Sequence, residues 1–147
     1  MPLPDEDMTI LEFLARLEGE DPGSRRAAAA ARRLKKDVAE IALTTAQSPS
    51  TAFGRAHELL AHCGAPLATD SPPGGGSAVR GVVNSGFATL NPAVVTITVT
   101  PHEETGAAVL IRGAAKEGLI KQRAGRKGAE KIAALWLTDD PVAHRTN

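Results

Sequence analysis

Residues 93–115 read AVVTITVTPHEETGAAVLIRGAA, and this stretch decides the fold. Its first half alternates strictly, with Val95, Ile97 and Val99 on one face and Val94, Thr96, Thr98 and Thr100 on the other. β-Branched residues dominate it, the type that stands most easily on a pleated surface. A second run sets Val109 and Ile111 against Leu110 and Arg112, and Pro101 to Gly106 is short enough to join the two as a hairpin. The apolar face of that hairpin needs cover. Between Lys116 and Leu137, the positions Ile120, Ala124, Gly128, Ile132, Leu135 and Trp136 fall on one side at about 100° per residue, which predicts a long C-terminal helix. Gly125 and Gly128, on or beside that stripe, let such a helix approach the sheet closely.

Working outward, Val79, Val82 and Val83 among glycines predict a strand at 78–85, and a shorter one falls at 67–69. VAEIALTT at 38–45 alternates Ala39, Ile41 and Leu43 with Glu40, Ala42 and Thr44, the pattern of a half-buried strand, while a helical reading through Thr45 stays open because the alanine-rich run precedes it without a breaker. Ser48-Pro49 opens a helix through Phe53, Ala56, Leu59 and Leu60 that ends at Gly64. Pro72 to Gly76 is a loop, and the residues from Thr138 onward read as a frayed tail.

The N-terminal residues form a charged arm. Residues 1–21 carry seven acids against Arg16 alone, and residues 25–36 carry six basic residues and no acid, so the two blocks can pair with each other. Thr9 and Glu12 read as a capping box ahead of the apolar stripe Ile10, Leu11, Phe13, Leu14 and Leu17. Ser24 can cap a second helix through RRAAAAARRLKK. The sum is an α+β fold: a twisted antiparallel sheet of four to five strands with the long C-terminal helix on one face, preceded by a helical arm. The expected divisions are an arm at 1–36, a core at 37–138 and a tail at 139–147.

The chain has 147 residues, which suits one domain. Seventeen Lys+Arg balance seventeen Asp+Glu, and a single cysteine excludes an internal disulfide framework or a Cys-rich zinc fold. No apolar run reaches the roughly 20 residues of a membrane span. The start of the chain, MPLPDEDM, is acidic where a secretory signal would be basic, so the expected location is the cytoplasm.

This order of elements resembles a reduced helix-grip domain, the architecture of the Bet v 1-like (START-related) family and of TATA-binding-protein-like folds. The stretches that carry it are VAEIAL, the helix after Pro49, GVVNSGFATLNPAVVTITVTP, AVLIRGAAKEGLIKQ and the closing helix, together residues 37–137. The likeness is architectural and brings no catalytic motif. It implies an apolar small molecule or lipid held between sheet and closing helix. Full Bet v 1-like domains carry more strands, so the implied pocket is a smaller one, one completed by a dimer, or none.

Such a pocket would be lined by Ile97, Val99, Val109, Ile111, Ile120 and Trp136, with Arg112 as its polar anchor. The basic face Lys116, Arg123, Arg126 and Lys127 lies within an arc of about 100° and could meet phosphates or anionic lipid. Nucleic acid is not the expected partner, because the only aromatics are Phe13, Phe53, Phe87 and Trp136 and the pI is 6.9. His57, His62 and Cys63 lack metal-ligand spacing, and Cys63 near a helix C-terminus lacks the positive dipole that would activate it. Glu103-Glu104 and Asp139-Asp140 are adjacent pairs with the look of solvated charge. No catalytic residue, metal or cofactor is expected.

Three functions remain open: a non-enzymatic module for an apolar ligand, placed first; a protein-interaction or homodimerisation module using the arm; and a weak polyanion contact through the basic helix.

Overall fold

The hairpin forms as its alternation predicts. A computed structural model describes Leu3 and residues 5–10, 36–70, 76–84, 92–103, 106–116 and 123–146, with backbone alone at 67, 68, 84 and 92. Strands β4 (Pro92–His102) and β5 (Gly106–Lys116) pair antiparallel, with Ile97 opposite Ile111 and Val99 opposite Val109. β1 (Lys36–Thr45) pairs with the other side of β5, from Lys36 opposite Lys116 to Thr45 opposite Ala107. Helix α1 (Pro49–Cys63) then carries the chain to the far edge, where β2 (Gly64–Asp70) and β3 (Ser77–Asn84) extend the sheet beside β4. After β5 come helix α2 (Ala124–Asp139) and a two-residue β6 (His144–Arg145) on the outer edge of β1. The described sheet has six strands in the order β2-β3-β4-β5-β1-β6, all antiparallel.

Both helices cover one face. Ile41, Leu43, Val79, Val83, Val95, Ile97, Val99, Val109 and Ile111 point into a single core with Ala52, Ala56, Leu59 and Leu60 of α1 and Ile132 and Trp136 of α2. Ser48 caps α1, its Oγ accepting from Thr51 N–H at 3.3 Å, and Pro49 fills the first turn, where no donor is missed. α2 lies so close to β5 that a Cβ at Gly113 would overlap the carbonyl of Gly125, and one at Gly125 would overlap that of Asp37. Here glycine is required by space.

Several expectations need correcting. The C-terminal helix starts at Ala124, not near Lys116, because β5 runs on to Lys116 in register with β1. Its start is fixed from outside: Arg123 stands in the left-handed region (φ 53°) with no cap of its own, and the Asp37 carboxylate of β1 accepts from Arg126 N–H at 3.0 Å. The tail is not frayed. Asp140 is 3% exposed, accepting from Thr45 Oγ1 and from Trp136 Nε1, and it anchors the turn that leads into β6. That short edge strand takes the sheet beyond the expected four to five. At the N-terminus residues 6–10 are helical, and the cap is Asp5, which accepts from Met8 N–H at 3.0 Å. Thr9 already lies within that helix, its Oγ1 donating to Asp5 O, while its capping-box partner Glu12 falls outside the described residues. Glu12, the Leu11–Leu17 stripe, the helix after Ser24, and Ile120 lie outside the described residues.

Candidate functional site

The side chains that alternate away from the core give the sheet a second face, and cross-strand register arranges them in rows. Arg80, Thr96, Arg112 and Glu40 stand side by side across β3, β4, β5 and β1. Arg80 Nε donates to Thr96 Oγ1 at 2.7 Å, and Arg112 Nη1 donates to Glu40 at 2.8 Å. The neighbouring row is apolar: Val82, Val94, Ala114 and Val38. Beyond it Lys36 faces Lys116.

The N-terminal helical residues lie across these rows. Ile10, 2% exposed, packs with Val82, Val94 and Ala114 in a cluster separate from the main core. One turn earlier, Glu6 is 8% exposed and accepts from Lys36 Nζ at 2.9 Å and from Arg112 Nε at 3.0 Å. Asp7 lies 3.0 Å from the same Lys36 ammonium. The i, i+4 spacing places carboxylate and isoleucine on one side of the helix, matching one basic and one apolar patch of the sheet.

Burial alone would raise the Glu6 carboxyl, but hydrogen bonds from Arg112 and Lys36 outweigh it and hold the group below its ordinary range. The Lys36 hydrogen bond likewise lowers Asp7. Reciprocally, the Glu6 hydrogen bond raises both Lys36 and Arg112. Burial lowers Arg80 beneath this helix. The acidic arm and the last residue of the basic block thus meet at Lys36.

A second concavity lies at the sheet edge. A cleft of about 380 Å³ is bounded by residues 37–41 of β1 and by Arg123, Arg126, Glu130 and Arg145. Arg145 donates twice to Glu130, at 3.1 and 3.3 Å.

Ile97, Val99, Val109, Ile111 and Trp136 lie at 0–1% exposure in the packed core against α1 and α2. Arg112 does not join them, because it alternates to the opposite face and is held by Glu6 and Glu40. Of the basic set, Arg123 and Arg126 share the edge cleft, Lys127 is exposed on α2, and Lys116 ends β5 on the second face, 3.9 Å from Asp7. Asp140 belongs to structure and Asp139 ion-pairs Arg55. Cys63 is buried and burial raises its thiol. Among the described residues no group of three or more His, Cys, Asp or Glu is placed to hold a metal, and no helix is long and apolar enough to cross a membrane. Sequence reasoning missed Glu6, Asp37 and Arg145; the one signal for Glu6 was the facing of an acidic and a basic block.

No known protein-family model matches the chain, and no curated protein is significantly similar to it.

Proposed function

We propose that the chain is a small, non-enzymatic cytoplasmic interaction module whose second sheet face is a seat for an acidic amphipathic helix, with its own N-terminal segment as the occupant in cis. The observation that carries this reading is the pair Glu6 and Ile10: a carboxylate held by Lys36 and Arg112, and an isoleucine buried on Val82, Val94 and Ala114. A partner helix presenting an acid and an aliphatic residue four positions apart meets the same complement. The order strand, helix, four strands, helix supports the helix-grip likeness. The apolar-ligand reading draws no support from the packing, because five of its lining residues already fill the core between sheet and helices.

The test releases the arm while keeping the chain whole. Full-length protein carrying Glu6→Lys and Ile10→Asp should bind a fluorescein-labelled peptide of residues 1–14, while the parent, with its seat filled in cis, binds it far more weakly. Adding Arg112→Glu to the released protein should abolish binding. A released protein that still melts cooperatively but ignores the peptide would end this proposal, as would binding indifferent to Arg112→Glu.

A further inference from the structure

Among the described residues, the edge of β1 before Leu43 has no paired strand and offers a second surface beside the helix seat. Thr146 N–H donates to Ala42 O at 2.9 Å, in register with the pairs Leu43–Arg145 and Thr44–His144. Residue 42 therefore turns its main chain away from β5, and antiparallel alternation carries that parity to Glu40 and Val38. Among the described residues, no strand pairs with β1 on that side before residue 43. Instead residues 37–41 form one wall of the 380 Å³ cleft.

The charges of the cleft are unevenly committed. Glu130 holds Arg145, Asp37 accepts from the Arg126 backbone N–H, and the Glu40 carboxylate is drawn to Arg112 on the other face. Every acid bordering the cleft is engaged, while the Arg126 side chain is exposed on the first turn of α2, at the positive end of the helix dipole. The chain also shows the binding mode on this very edge, since β6 is an extended segment added antiparallel to β1.

We propose that this cleft receives an extended acidic peptide segment of a partner protein, added as an antiparallel strand that continues the line of β6 past Glu40 and Val38. Main-chain bonds to Val38 and Glu40 supply attachment. A residue opposite Ala39 shares its face of the sheet and points to the α2 side, so an acidic side chain there meets Arg126.

The probe is the peptide Thr-Val-Glu-Val-Thr, with Thr-Val-Lys-Val-Thr as its counterpart, added to uniformly nitrogen-15-labelled full-length protein. The Glu peptide should shift the Val38 and Glu40 amides, slow their exchange, and bind about tenfold or more tighter than the Lys peptide. Arg126→Glu, a surface change, should invert that preference. Val38→Pro removes one outward donor while leaving the bonds to β5, as proline allows on an edge strand, and should abolish binding with little change in melting temperature. Three results would overturn the proposal: no change at Val38 and Glu40 with millimolar peptide, binding indifferent to Val38→Pro, or concentration-dependent protection of those amides in the protein alone. The last result would assign the edge to a second copy of this chain. None depends on Glu6 or Ile10, so failure here is separable from failure of the helix seat.

Discussion

At the scale of single residues, glycine separates crowding from helix propensity. Gly125 is glycine because α2 and the sheet touch backbone to backbone, and a methyl group there meets the carbonyls of Asp37 and Gly113. Neither carbonyl can move without disturbing the sheet, so Gly125→Ala should cost about 1–3 kcal/mol through overpacking. Gly54 is the opposite case. It lies exposed in α1, with nothing within 4 Å of where a Cβ would stand. There the flexible backbone is the only term, and Gly54→Ala should stabilise by up to about 1 kcal/mol. Urea denaturation midpoints should therefore move in opposite directions. Equal and same-signed shifts would show that α2 does not sit as close to β5 as described.

At the scale of elements, the parts legible in the sequence are those that carry their own period. β4 and β5 announce themselves by alternation, and α1 by its Ser48 cap and closing Gly64, whereas the alternation of β1 competes with a helical reading until its pairing with β5 decides it. The start of α2 does not, because Lys116–Gln122 suits a helical template while the actual boundary is set by Asp37, far away in sequence. β6 was equally illegible: two residues have no periodicity, and what orders them is the edge of β1 and the buried Asp140. The core set was readable, whereas the seat for Glu6 was not, since it depends on which rows the register brings side by side. Asp140 makes the point testable. Asp140→Ala strips Thr45 Oγ1 and Trp136 Nε1 of their shared acceptor in a buried place. The loss should be about 2–4 kcal/mol, from penalties of about 1–3 kcal/mol per orphaned group. Amide exchange should quicken at Thr146, which donates to Ala42 O, before it does at Ile97. Unchanged stability would mean that water replaces the carboxylate.

At the scale of the whole molecule, the two sheet faces are held by different forces and should part under different conditions. The helix face is closed mainly by apolar packing. Among the described residues, the second face is covered by one isoleucine and a charge cluster in which Glu6 and Asp7 face Lys36, Arg112 and Lys116. Both carboxyls are held below their ordinary values of 4.5 and 3.8. A depressed acid contributes stability that is fully present above its unfolded pKa and is lost as pH falls through the folded one. The N-terminal helix should therefore stay docked at pH values above those ordinary carboxylate values and detach as the pH falls below them, ahead of the core. Thr9 N–H, bonded to Asp5 O, reports on that helix, and Ile97 and Ile111 amides report on the sheet. Exchange at Thr9, corrected for the intrinsic pH dependence, should rise sharply over that fall in pH while the sheet amides remain protected. Glu6→Gln should weaken docking at neutral pH by about 1–3 kcal/mol, the worth of charged hydrogen bonds, and flatten the pH response. Simultaneous loss at Thr9 and Ile97 would mean that helix and core form one cooperative unit, and the second face could not then be vacated for a partner without unfolding the protein.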